Sequence, residues 1–140
     1  MYLSRCLATP CHTQDSICYY ATPKSPSADS HPGGVFTGDT LFIAGCGRFF
    51  EGTADEMHRA LSYLGTLPDK TIIYNGHEYT KGNLAFANSV ESDNSALQKL
   101  DTLVKENSVT TGLTTIADEK AWNPFMRLQS ASIRSVCNVF

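Results

Sequence analysis

The sequence contains no CxxC pair, and its cysteines, Cys6, Cys11, Cys18, Cys46 and Cys137, come to an odd count of five. That pattern argues against a disulfide framework or a cysteine-rich zinc site and fits a reducing, cytosolic setting, with a mitochondrial one also open. No dense run of lysine or arginine occurs, and the net charge is −3, so nothing marks a nucleic-acid surface or an anionic membrane surface. No apolar run is long enough to cross a bilayer. The opening residues, Met1 to Cys6, carry neither the apolar core of a signal peptide nor the Arg/Ser-rich pattern of a transit peptide. They read as the start of a chain that begins in mid-domain. Internal repeats and low-complexity tracts are absent as well.

What is present suits one folded domain. The chain has 140 residues, 41% of them hydrophobic and 18% charged, values of a globular rather than a disordered chain. Residues 16–21 are β-branched and aromatic and predict a strand. The Pro, Gly and Ser residues of 22–34 predict a loop. Val35 to Thr37 predict a short strand running into Gly38 and Asp39, and Leu41 to Ala44 an apolar stretch buried near a site. Thr53 and Glu56 match a capping box, with Met57, Ala60, Leu61 and Leu64 at helical spacing, so a helix is expected over 54–64. Pro68-Asp69 is a turn and 71–74 a strand. Thr80 is expected to cap a helix through Val90. A third helix is expected over 93–106, with Leu97, Leu100, Leu103 and Val104 on one face. The last stretch, 128–140, has weak patterning and is expected to fray.

Three short stretches share a design: His12 after Thr9-Pro10-Cys11, Asp39 after Thr37-Gly38, and His77 after Asn75-Gly76. Two of the three follow directly on a strand, next to a glycine, and strand ends with glycine turns aim side chains into a common cleft on a rigid frame. Two imidazoles and a carboxylate suit zinc or iron. Singly, each signal is weak. A histidine near a strand end is more often hydrogen-bonded than ligating, and an aspartate after glycine serves equally well as a turn residue. Cys11, beside His12, reads as a nucleophile or, more simply, as a small buried side chain. His31 and His58 are expected to be solvated.

The stretches Leu7-Ala-Thr-Pro-Cys-His-Thr13, Phe36-Thr-Gly-Asp-Thr-Leu-Phe42, Gly45-Cys-Gly-Arg-Phe-Phe-Glu-Gly-Thr53, Gly76-His-Glu-Tyr79 and Asn123-Pro-Phe-Met-Arg127 occur in this order. Together they resemble the glyoxalase II (hydroxyacylglutathione hydrolase) family of the metallo-β-lactamase superfamily, across about residues 6–127. The resemblance implies an α+β fold: the C-terminal half of a metallo-β-lactamase-type αβ/βα sandwich over 1–79, then a helical C-terminal region over 80–140.

The implied activity is metal-dependent hydrolysis of S-D-lactoylglutathione to D-lactate and glutathione, a step in methylglyoxal detoxification. In the family's two-metal site, His12 would ligate one metal and His77 the other. Asp39 would bridge both, so that the two share one hydroxide, the nucleophile that attacks the thioester carbonyl. Arg48 resembles the residue that meets a glutathione carboxylate. Tyr79 resembles a tyrosine that contacts the glutathione backbone, and the resemblance places His77 with Arg48, Phe50 and Tyr79 among the substrate-binding residues. Phe50 stands where tyrosine is frequent, so ring packing survives and a phenolic hydrogen bond does not. Phe49 reads as packing, and Asn123 to Arg127 as a structural marker without a catalytic role, with Pro124 restricting Asn123 to extended geometry.

The superfamily's H-x-H-x-D-H motif is absent, and three candidate ligands serve two metal positions, where a catalytic zinc takes about three protein ligands. The resemblance therefore implies an incomplete site, a chain impaired on its own, and a complementing N-terminal half of roughly a hundred residues. Without that half, an apolar sheet face should stand exposed beside an unpaired edge. A further alternative is a non-catalytic remnant that binds glutathione or a protein partner through Arg48 and Tyr79.

Overall fold

The helix Ala54–Leu64 (α1) begins where a threonine can satisfy its free N–H groups. The Thr53 hydroxyl accepts from the Glu56 N–H, and the Glu56 carboxylate accepts from the Thr53 N–H, closing the expected capping box. Met57, Ala60, Leu61 and Leu64 then recur on one buried face, and that stripe needs a flat apolar partner.

A four-stranded sheet supplies it. The computed structural model describes residues 1–25 and 31–137. Its strands are Tyr2–Ala8 (β1), Ile17–Pro23 (β2), Gly34–Gly38 (β3), Leu41–Phe42 (β4), Gly45–Cys46 (β5) and Ile72–Asn75 (β6). The sheet order is β1-β2-β3-β6, while β4 and β5 form a separate hairpin. The β1/β2 and β2/β3 pairs are antiparallel and β3/β6 is parallel. Alternation along the strands sorts the side chains onto two faces. Leu7, Cys18, Tyr20, Val35 and Ile73 are buried in one core with Met57, Leu61 and Leu64.

The opposite face is bare, as expected. Cys6, Tyr19, Phe36 and Tyr74 form a row across all four strands; Tyr19 and Phe36 are about half exposed, and Phe36 stacks on Tyr74 at 4.9 Å. β1 is an open edge among the described residues. The β6 edge is covered by the 110–116 segment, with the Ile73 N–H donating to Thr114 and the Gly112 N–H to Ile73.

The helices Thr80–Val90 (α2), Ala96–Glu106 (α3), Ile116–Trp122 (α4) and Ala131–Cys137 (α5), with a 3₁₀ turn at Pro124–Met126, make the second part. Their core gathers Leu84, Ala87, Leu97, Leu100 and Trp122, and it includes Ile43 and Ala44 from the tip of the β4–β5 hairpin. The hairpin thus has its tip among the helices and its strands beside the sheet.

Several expectations need correction. β1 was not expected: only Leu7 and its core-facing pairing give it a pattern, because the rest of the strand is exposed. α4 also escaped, although Thr115 and Asp118 form a second capping box. Tyr79, not Thr80, holds the N-cap position of α2, without a side-chain cap; the Thr80 hydroxyl is buried and bonds that of Thr110 at 2.7 Å. α3 starts at Ala96 rather than at 93. Within the stretch expected to fray, 131–137 is helical, while 138–140 lies outside the described residues.

Candidate metal centre

β1, β3 and β6 run in the same direction, with β2 opposed. Their carboxyl ends therefore meet at one edge of the sheet, the place where open α/β sheets hold ligands. His12, Asp39 and His77 follow these ends, and the structure brings all three together. The His12 Nε2 lies 3.3 Å from Asp39 Oδ2, and the His77 Nε2 lies 3.3 Å from Asp39 Oδ1. Each carboxylate oxygen thus faces one imidazole.

The surrounding backbone dictates this arrangement. The Thr40 N–H closes a turn onto the Thr37 carbonyl, and Gly38 within it has φ +49, a left-handed conformation that suits glycine. Asp39 is therefore a turn residue as well as a member of the cluster. Gly76 lies against it: a Cβ there would meet Asp39 Oδ1 at 2.9 Å and the Gly38 carbonyl at 3.0 Å.

His12 is oriented from behind, since its Nδ1 donates to the Arg48 carbonyl at 3.0 Å. A carbonyl only accepts, so Nδ1 carries the proton, and in a neutral ring the Nε2 lone pair points at the carboxylate. Two acceptors 3.3 Å apart repel unless a proton or a metal cation lies between them. Orienting one ring nitrogen so that the other presents a lone pair is the usual support of a ligating histidine.

The cleft around these groups has a volume of about 640 Å³ and is also lined by Arg48, Phe50 and Tyr79. Tyr79 stacks on His77 at 5.2 Å, and Phe42 meets both rings edge-on. On the other side Phe50, two-thirds exposed, tilts over His12 at 5.0 Å. Arg48 is exposed and has no carboxylate partner among the described residues. A cation between aromatic walls suits an acidic ligand with apolar parts.

Cys46 also lines the cleft. Burial, and then the neighbouring Cys11, push its thiol up to about 12, which leaves it a poor nucleophile. Cys11 is fully buried and its Sγ contacts the Thr53 carbonyl at 3.3 Å, so its plain packing role holds. His31 and His58 are exposed.

Sequence reasoning missed two supports of the site, Asn83 and Glu78, and expected Phe42 only as part of an apolar stretch buried near it. Asn83, on α2, donates to the Ile43 carbonyl at 3.0 Å. Phe42 belongs to the aromatic wall. Glu78, between His77 and Tyr79, accepts from the Thr110 N–H at 2.6 Å and from its hydroxyl at 2.9 Å. Burial raises the Glu78 carboxyl, but the bonds from Thr110 and Thr80 outweigh it and hold the group below the usual glutamate range. The G-H-E-Y stretch offered a hint here, since a carboxylate between two cleft residues needs somewhere else to point.

The donor set fits a metal in type but not in number. Each side of Asp39 offers one imidazole nitrogen and one oxygen. Among the described residues no group of three or more His, Cys, Asp or Glu side chains closes around one ion.

The fold is similar over 99% of this chain to ETHE1 from Myxococcus xanthus, at 31% identity and a TM-score of 0.57, covering 46% of that chain. It is also similar to a metallo-β-lactamase from Staphylococcus aureus, at 21% identity and a TM-score of 0.60, covering 35% of that chain. The fold is thus part of a metallo-β-lactamase-type domain.

Sequence relatives narrow the assignment. The family model described as hydroxyacylglutathione hydrolase C-terminus matches residues 78–139. A probable hydroxyacylglutathione hydrolase of Schizosaccharomyces pombe is 53% identical over 129 residues, 91% of this chain and 48% of that protein. The cytoplasmic isozyme of hydroxyacylglutathione hydrolase from Saccharomyces cerevisiae is 47% identical over 138 residues, 92% of this chain and 49% of that protein. The mitochondrial enzyme of the same yeast is 47% identical over 139 residues, 92% of this chain and 47% of that protein. The chain belongs to the hydroxyacylglutathione hydrolase (glyoxalase II) family and corresponds to its C-terminal part. It spans about half the length of the curated relatives it matches.

Proposed function

We propose that these residues form one side of a glutathione-thioester hydrolase site, with the other side supplied by a further αβ half that covers the bare sheet face. The observation that carries this reading is the pair of imidazole nitrogens on opposite oxygens of Asp39, each 3.3 Å away. His12 and one Asp39 oxygen would hold one metal, and His77 and the other oxygen a second. Zinc suits this donor set, and iron does as well. Such metals polarise a carbonyl and activate water at neutral pH.

The chain's own residues do the rest. Asp39 keeps its two oxygens apart for two cations. The Arg48 carbonyl fixes the ring orientation of His12. The Arg48 guanidinium attracts a glutathione carboxylate, Tyr79 contacts the glutathione backbone, and the Phe50 ring packs at the cleft wall. We assign residues 1–79 to the partial metallo-β-lactamase-type domain and 80–140 to the helical region. The names of the yeast relatives support a cytosolic or mitochondrial setting.

With two donors per metal position, the chain by itself is expected to bind glutathione rather than to hydrolyse its thioesters. A chimera tests the reading. In the Schizosaccharomyces pombe relative, the matching segment is replaced by this chain and assayed with S-D-lactoylglutathione. Metal-dependent hydrolysis, abolished by Asp39→Asn and shifted to higher KM by Arg48→Ala, is expected. A folded, metal-loaded chimera without hydrolysis would overturn the proposal.

A further inference from the structure

We infer that Glu119, in the helical region, is a positioning residue for the strand-end site. It holds the tip of the β4–β5 hairpin in the one backbone arrangement that sets Asp39 and Arg48 against His12. The functional consequence rests on the metal-site reading above; the structural consequence does not.

Glu119 is completely buried and has no cation beside it among the described residues. Its Oε2 accepts from the Ala44 N–H at 2.8 Å and from Asn123 Nδ2 at 2.9 Å, and its Oε1 accepts from Trp122 Nε1 at 2.9 Å. A buried carboxylate without a counter-ion is costly where an apolar side chain would serve packing alone. Its hydrogen bonds show what it holds.

That is Ala44, the one non-glycine residue with positive φ, at +56, among the described residues. A left-handed alanine is strained, and Ala44 is fully buried, so its N–H needs an acceptor within the protein. The neighbouring carbonyls are held in the same way. Asn123 Nδ2 reaches Gly45 O at 3.0 Å and Phe42 O at 3.3 Å, and Asn83 Nδ2 takes Ile43 O at 3.0 Å. Three side chains of α2 and the α4 end therefore satisfy the backbone of the tip.

The legs of the hairpin carry this constraint to the site. Leu41 pairs with Cys46 and Phe42 with Gly45. The Gly47 N–H then donates to Thr40 O at 3.2 Å, next to Asp39. Gly47 lies so close that a Cβ would overlap the Asp39 carbonyl. The next residue, Arg48, supplies the carbonyl that orients His12. A shift at the tip thus moves the acceptor behind His12 and the turn that carries Asp39.

The test uses the metal-free 140-residue chain labelled with ¹⁵N-histidine. Glu119→Gln keeps the volume but turns an amide toward three N–H donors. Glu91→Gln is the control: Glu91 is also buried in the helical region, but it bonds Arg127, Ser130 and Asn94 and not the hairpin. Under conditions where both variants are folded, Glu119→Gln is expected to move the His12 ring signals and the Arg48 amide. Glu91→Gln is expected to leave them in place even though it lowers the melting temperature. If Glu119→Gln does not fold, Glu119→Asp carries the same test, since it keeps the charge but draws the carboxylate back by one methylene.

His12 signals that superimpose on the wild type, or that move equally in the control, would overturn the inference. Zinc affinity, read separately, is expected to fall roughly tenfold, as for loss of an outer-shell partner. Displaced His12 signals with unchanged zinc affinity would support the positioning role and count against the metal reading instead.

Discussion

Asp39 and Glu119 stand at opposite ends of the β4–β5 hairpin and differ in how their oxygens are filled. Glu119 is sealed from solvent, and its two oxygens take three N–H donors at 2.8 to 2.9 Å. The Asp39 side chain is 30% exposed, and its oxygens face imidazole nitrogens at 3.3 Å. A carboxylate saturated by fixed donors can bind nothing more and serves geometry. A carboxylate that faces two imidazoles in an open cleft still has room for a further ligand. The helical carboxylate is saturated within the chain, whereas the strand-end carboxylate stays partly open to solvent.

The two faces of the sheet show the same contrast. One is closed by α1, and the other presents Tyr19 and Phe36 half exposed.

The largest expected effect falls in the helical region. Arg127 donates twice to Glu91, at 2.8 and 3.0 Å, and this pairing above all holds the Glu91 carboxyl down to about 2. Arg127→Ala strands a buried charge and is expected to cost about 3–5 kcal/mol in urea unfolding.

Next comes a pH test of the two helical carboxylates, which oppose each other. Glu91, with its folded pKa depressed, adds stability that is present above about 4.5 and is lost as pH falls toward about 2. Glu119 is pushed up to about 7, chiefly by burial and against its hydrogen bonds. It therefore favours the fold below about 4.5, and that contribution is lost as pH rises through about 7. Each is worth up to about 3 kcal/mol. Stability is expected to peak near pH 4.5, and Glu119→Gln should flatten the alkaline-side decline.

The sheet faces are sharpened by a pair of variants. Leu61→Ala on the covered side should cost about 3 kcal/mol, whereas Phe36→Ser on the bare side should cost within about 0.5 kcal/mol and improve solubility. Equal losses would mean that both faces are covered in solution. Smaller still, Thr115→Ala and Thr53→Ala each remove a capping-box hydroxyl, for about 1 kcal/mol.

Much of this was legible in the sequence for physical reasons. α1 announces itself through Thr53, Glu56 and a regular apolar stripe. Asp39 and His77 stand out because each follows a glycine after a strand of high β-propensity, a signal His12 lacks. β1 was hidden because an edge strand with one bare face lacks alternation. Glu119 was hidden for a deeper reason: in an Asp-Glu-Lys run nothing local distinguishes a solvated carboxylate from one folded into a core, and only the hairpin from residues far upstream makes the difference. Asn123 read as a structural marker, and the structure shows what it marks: four polar contacts that tie the α4 end to the hairpin and the next turn.

The most direct test of the central claim is a zinc titration of the chain and its Asp39→Asn variant by calorimetry, followed by dialysis and metal analysis. The two half-sites are expected to bind zinc weakly, to lose it on dialysis, and to show no binding once Asp39 is neutralised, with folding stability unchanged. Near-stoichiometric zinc retained after dialysis, or equal binding by Asp39→Asn, would contradict the account.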